Sequence, residues 1–195
     1  MMYHNAVSYV HMLLRQHLHA GDVVVDATAG NGFDARVMAD LVGDEGTLYV
    51  FDIQQAALRA TMQRLEGTGT RVNIMHAGHE QMSDLVSTEH HGGIRAITFN
   101  LGYLPGHDHA ITTMVDTTLT AVSAGLAMLS SDGLMTIVCY RHPEGEREYA
   151  ALMELVSALD QGLWVVSETR FVNQRGMPPV VVVIQRRPHR EQSSA

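Results

Sequence analysis

The stretch VVVDATAGNGFDA, Val23 to Ala35, decides how the rest of the chain is read. Three β-branched residues make a short strand suited to burial on both faces, and the glycine-bearing segment after them opens a helix. Gly30 and Gly32 let the backbone approach a ligand closely and take positive φ. A strand that passes through a glycine turn into a helix begins a βαβ unit. The same alternation extends in both directions. Ala6 to His19 reads as a helix with Val10, Leu13, Leu14 and His17 on one face. After the first strand come a helix over 34–42, the strand TLYVFD, a helix with Leu58, Thr61, Met62 and Leu65 on one face, and the strand RVNIM. AITFN leads into a helix expected to be the longest, with Ile111, Met114, Val115, Thr118, Leu119 and Val122 at helical spacing. SSDG reads as a break before the strand LMTIVCY, and a further helix holds Tyr149, Leu152, Met153 and Val156. LWVVSE and VVVVIQ, joined across Gly176, Pro178 and Pro179, read as a closing hairpin. The pattern predicts an α/β fold: a seven-stranded, mostly parallel sheet with helices on both faces and a C-terminal antiparallel hairpin.

Composition narrows the classes. With 195 residues, 46% apolar and 17% charged, the chain fits a single domain over 1–187, followed by a polar tail over 188–195 expected to fray. No run approaches the roughly 18 apolar residues of a membrane span. The N-terminus lacks a basic region and cleavage site, so no secretory signal is expected. The one cysteine, Cys139, cannot form an intrachain disulfide, which agrees with a cytoplasmic setting, and it reads as core filling. A net charge of −8 argues against indiscriminate nucleic-acid binding. The 12 histidines are scattered without metal-ligand spacing, so no metal centre is expected.

In such sheets ligands bind beyond the carboxyl ends of the strands. Asp52 ends the second strand and can accept hydrogen bonds from both hydroxyls of a ribose. Two ligands fit: a dinucleotide, because GNGFDA satisfies the weak G-x-G-x-x-A pattern, and S-adenosylmethionine. Asp26, four residues before Gly30, would repel a pyrophosphate and favour a cationic amino group and sulfonium; Asp34 adds to that bias. The preference is for S-adenosylmethionine.

FNLGYLPGHD, Phe99 to Asp108, supplies the other half of a site. The fourth strand is expected beside the first, so Asn100 would emerge next to a bound methyl donor. Its amide oxygen and a following backbone carbonyl can accept from an amine and aim the nitrogen lone pair, which is orientation catalysis. Tyr103 can stack on a planar base. NLGY is similar to the N-P-P-Y motif of adenine amino-methyltransferases, with Leu101 and Gly102 in place of the prolines. Asn100 could instead cap the next segment.

DATAGNG with FDIQ, FNLGYLPGHD, CYRHPEG and VNQRGMPP together resemble the family first labelled "putative rRNA methylase", or YtqB-like, over nearly the whole chain. That resemblance implies a Rossmann-like class I methyltransferase. It further implies an N-methyltransferase for the aminomethyl nitrogen of 5-aminomethyl-2-thiouridine at the tRNA wobble position. The implied methyl-donor site is Asp26, Gly30, Asn31, Gly32, Asp52 and Gln54, with His79 and Glu80 near the adenine. The implied acceptor site is Asn100, Leu101, Gly102, Tyr103, His107 and Asp108. Phe33 stands where a polar residue, often histidine, is expected. Asp108 could equally cap the following helix, His142 could be site or surface, and Glu80 could merely favour a helix start. The arginines at 141, 147, 170, 175, 186, 187 and 190 read either as a solvated face or as a phosphate track for an anticodon arm. A homodimer is an open expectation. The alternatives are methylation of another RNA base, as in rRNA, or of a small-molecule amine, and, in another class, a non-catalytic nucleotide-binding or dinucleotide-binding module.

Overall fold

In the computed structural model, which describes residues 3–102 and 113–188, strand and helix alternate as the sequence pattern requires. Helix α1 (Ala6–His17) begins at a reciprocal cap. The Asn5 side chain accepts the Ser8 N–H, and the Ser8 hydroxyl accepts the Asn5 N–H. Then come β1 (Val23–Asp26), α2 (Phe33–Val42), β2 (Thr47–Asp52), α3 (Gln55–Leu65) and β3 (Arg71–His76). The short α4 (Met82–Leu85), between 3-10 turns at His79–Gln81 and Thr88–His90, leads to β4 (Ile94–Leu101). The chain closes with α5 (Val115–Met128), β5 (Leu129–Cys139), α6 (Pro143–Ser157), β6 (Trp164–Thr169) and β7 (Val180–Arg186).

The sheet order is β3-β2-β1-β4-β5-β7-β6. Strands β1 to β5 pair in parallel, whereas β7 runs antiparallel to both β5 and β6. The switch in order between β1 and β4 opens a crevice at their carboxyl ends, where ligands bind in such folds. Because Cys139 pairs with Val180 and Thr169 with Val181, the connection from β6 to β7 lies along that same edge.

Alternate residues explain why the strands are apolar throughout. Val24, Leu48, Val50 and Val138 pack with α1, α2 and α3, while Val25, Phe51, Phe99 and Ile137 pack with α4, α5 and α6. Both faces are covered, so a period of two in hydrophobicity disappears. Phe51 and Phe99 are wholly buried; truncating either to alanine costs about 3–5 kcal/mol.

Three expectations about the elements need correction. Helix α1 stops at His17. The longest helix among the described residues is α6, with 15 residues against 14 in α5, because Met114 is extended and only caps α5. SSDG does not break the chain. It lies inside β5 as a bulge, with Asp132 at φ 69 and a register shift opposite Ile94 and Ala96. The Asp132 carboxylate accepts from Arg95 (3.1 Å) and Gln185 (3.1 Å), which ties the bulge to both neighbouring strands.

Candidate active site

The glycine turn is held from three sides. The Ala29 N–H donates to the Phe51 carbonyl (2.9 Å) and the Gly30 N–H to Asp52 Oδ2 (3.0 Å), so β1 and β2 share one rim. Asp52 Oδ1 accepts the Gln54 N–H (2.8 Å). From α3, Arg64 Nε donates to the Asn31 carbonyl (2.7 Å), and its guanidinium lies 3.8 Å from the centre of the Phe33 ring. Gly32 has φ +75, and a Cβ there would stand 2.8 Å from Thr61 Cα. Glycine at 32 therefore satisfies both the left-handed start of α2 and its close packing on α3.

The second rim is assembled from β4, α1, α2, α5 and α6. The Asn100 N–H donates to Thr28 Oγ1 (2.7 Å). Its side-chain Nδ2 donates to Asp34 Oδ2 (2.6 Å), and Asp34 Oδ1 faces His11 Nε2 at 2.6 Å. The Thr113 N–H donates to the Gly102 carbonyl (3.2 Å), so the chain leaves and re-enters the described structure at one point. Buried Glu148 accepts from the hydroxyls of Thr113 and Thr118, each at 2.7 Å, anchoring the return to α6. Burial pushes the Glu148 carboxyl upward against the pull of those two hydroxyls.

Between the rims lies a cavity of about 660 Å³. Among the described residues its walls carry Asp34, Asp52 and Glu80 and no arginine. His79, 7% exposed and edge-on to Phe99, has its imidazole held below the ordinary histidine range, chiefly by burial. Its Nε2 has no hydrogen-bond partner in the described structure. Tyr140 closes the β5 side, its phenol raised by burial and then by the Asp34 charge. Such a cavity suits a cationic ligand with unpaired hydrogen-bonding groups and disfavours a pyrophosphate. The space and the polar groups fit S-adenosylmethionine.

The family described as "Putative rRNA methylase" matches residues 48–185. The chain belongs to this family. Among curated proteins, this methylase is 35% identical to the Arabidopsis thaliana protein named "tRNA (mnm(5)s(2)U34)-methyltransferase, chloroplastic", over 93% of this chain and 69% of that one. A crystal structure from Clostridium thermocellum, described in the family's own words, superposes with a TM-score of 0.88 at 34% identity, covering 95% of this chain and 100% of that one. A Streptococcus mutans methyltransferase structure in complex with SAH superposes with a TM-score of 0.84 at 32% identity, covering 95% and 99% of the two chains. The sheet and its antiparallel end are those of a class I methyltransferase.

In this methylase Gly30, Asn31, Asp34, Asp52 and Gln54 line the cavity, as do His79, Glu80, Asn100 and Gly102. Asp26 and Gly32 do not. Asp26 is fully buried below the turn, where one oxygen accepts the Thr28 N–H (3.2 Å). Burial, with Asp34 and Asp52 adding like charge, pushes its carboxyl well above the usual range. The electrostatic bias read from Asp26 therefore belongs to Asp34, Asp52 and Glu80. Leu101 is also corrected: its side chain is fully buried in the core and its carbonyl accepts the Tyr140 N–H (3.3 Å). The carbonyl after Asn100 is thus already engaged. His142 caps α6, its Nδ1 accepting the Gly145 N–H (3.2 Å), and it is not part of the cavity lining. Tyr103, His107 and Asp108 lie outside the described residues. Sequence reasoning missed Val7, Thr28, Thr113 and Tyr140 in the lining, and His11 behind it. Thr28 could have been found within DATAG; α1 offers no local signal for Val7 or His11.

Proposed function

We propose that this methylase uses S-adenosylmethionine to methylate the aminomethyl nitrogen of a wobble 5-aminomethyl-2-thiouridine in tRNA. The observation that carries the reading is the acid-walled cavity in which the Asn100 amide, fixed through its Nδ2, keeps Oδ1 as an acceptor. The 35% identity to the Arabidopsis protein, and the SAH found in the Streptococcus mutans structure, support the acceptor and the methyl donor.

When bound, S-adenosylmethionine supplies an electrophilic methyl group on a positively charged sulfur. Each Asp52 oxygen already accepts one backbone N–H and keeps a lone pair for a ribose hydroxyl. His79, held toward its neutral form by burial, lines the cavity on the side assigned to the adenine. Asn100 Oδ1 accepts an amine N–H and orients the nitrogen lone pair toward the methyl carbon. The amine must arrive neutral. A lysine-like amine, with a pKa of about 10.4, would cost about 4–5 kcal/mol to deprotonate at neutral pH. An electron-poor pyrimidine and the acid-walled cavity's cationic occupant lower that cost, so no strong protein base is required. Tyr103 is assigned to stacking on the base, and His107 and Asp108 to the acceptor rim.

The anticodon arm is the expected partner. Arg141, Arg170 and Arg175 stand at the cavity's edge of the sheet, where Arg141 and Arg170 border a second groove of about 280 Å³ with Gln174 and Met177. Arg141 is paired with Glu146 and Arg170 with Glu168, so RNA phosphates would compete with these carboxylates. Arg186 and Arg187 do not join that track: they lie at the opposite edge, donating to the Leu129 and Gln161 carbonyls. Arg190 is outside the described residues. Among the described residues no helix is long and apolar enough to cross a membrane. The cytoplasm and a homodimer belong to the same reading, the latter checked by sedimentation. The deciding experiment incubates the protein with S-adenosylmethionine and tRNA lacking the methyl group, followed by nucleoside mass spectrometry. A mass gain on the aminomethyl nucleoside is expected; transfer to rRNA or to a free amine alone would replace this reading.

A further inference from the structure

The contacts behind Asn100 extend one residue further than the cavity. An asparagine amide is nearly symmetric in shape, and only its neighbours decide which end faces the cavity. Asp34 makes that decision for Asn100, because a carboxylate accepts and does not donate: Nδ2 must face it, and Oδ1 must face away. Asp34 in turn has two oxygens, and one of them is held at 2.6 Å by His11 Nε2 from α1. The Asp34 and His11 side chains are only 8% and 16% exposed, so water competes weakly for either contact. His11 Nε2 can donate both as the neutral tautomer and as the imidazolium. Three elements distant in sequence, α1, α2 and β4, thus meet in one chain of side chains.

We propose that His11 is a positioning residue for methyl transfer, acting through Asp34 to keep the Asn100 amide oxygen turned toward the amine. Among the described residues His11 lines neither the cavity nor the second groove, so its influence on chemistry is taken to pass through its contact with Asp34. With Nε2 removed, the Asp34 carboxylate rotates, and both orientations of the Asn100 amide become accessible. The inference rests on the reading of Asn100 as the acceptor for the amine.

The test uses the full chain as wild type, His11→Ala, His11→Gln, Asn100→Ala and the double variant His11→Ala/Asn100→Ala. Glutamine places an amide N–H near the position of the imidazole Nε2. The first readout is the Asn100 side-chain NH₂ resonance in ¹⁵N spectra, assigned by its absence in Asn100→Ala. Exchange with solvent should be slow in wild type and His11→Gln and at least about tenfold faster in His11→Ala. The second is single-turnover transfer to undermethylated tRNA at saturating S-adenosylmethionine. The rate should fall about ten- to a hundredfold in His11→Ala, recover largely in His11→Gln, and fall no further when His11→Ala is added to Asn100→Ala. Affinity for S-adenosylmethionine should stay within a few fold throughout. Unchanged exchange in His11→Ala, or multiplicative rate losses in the double variant, would overturn the proposal. If exchange responds but Asn100→Ala transfers at the wild-type rate, the coupling stands and the role given to Asn100 fails instead.

Discussion

The two rims of the cavity are built on different plans. The rim proposed to hold the methyl donor is mostly backbone: amides of the glycine turn and of Gln54 close on a single carboxylate, Asp52, within two neighbouring strand ends. The rim proposed for the acceptor is mostly side chain: His11, Asp34 and Asn100 come from three elements and meet through imidazole, carboxylate and amide. Backbone positions are fixed by the fold itself, whereas side-chain orientation must be imposed by neighbours. The donor rim should therefore tolerate changes that leave the turn intact, while the acceptor rim should lose function without losing structure.

The sharpest break of that contrast is at Asn100. Asn100→Ala should lower turnover on tRNA about a hundredfold while leaving S-adenosylmethionine affinity within a few fold. Equal losses in calorimetric affinity and in turnover would merge the two rims into one. Next comes Asp52→Ala, expected to weaken S-adenosylmethionine binding by about 1.5–3 kcal/mol with the melting temperature preserved. Unaltered affinity in a titration would remove Asp52 from the site. Gly32→Ala tests whether the donor rim depends on backbone shape. The side chain would meet Thr61 at a positive φ, so a stability loss of about 1–3 kcal/mol is expected in urea unfolding. A variant as stable as wild type would show that α2 can shift.

The smallest effect concerns Asp26, behind the turn. Its raised carboxyl pKa means that its contribution to stability is complete below the ordinary carboxylate range and is lost as pH rises through the raised value. Asp26→Asn stays neutral and lacks that slope. Urea midpoints of the two proteins should separate in favour of the variant as pH goes from about 5 to about 8. Parallel curves would mean that burial does not hold the proton on Asp26.

The same contrast accounts for what the sequence made legible. The antiparallel end follows from LWVVSE and VVVVIQ meeting without a helix between them, and most residues of the glycine-turn rim follow from VVVDATAGNG and FD, because glycine spacing and strand ends are local signals. Asp26 was misplaced because a carboxylate at a strand end reads alike whether it faces a cleft or the core. Leu101 follows the same logic: strand alternation put Asn100 on the cavity and its neighbour in the core. His11 carries no signal at all, since its partner is 23 residues away and the next link 66 further on. The bulge at Asp132 hid behind a turn-like SSDG.

The pinned junction between Gly102 and Thr113 has a consequence for how such enzymes diverge. A segment whose two ends are fastened together behaves as a replaceable cassette. Loop-closure entropy grows slowly, by about 0.6 kcal/mol for each doubling of length, so one fixed pair of ends is compatible with connections of many lengths. Glu148 and its two threonines thus fix the point of re-entry at Thr113, whatever residues a family member carries between the two ends.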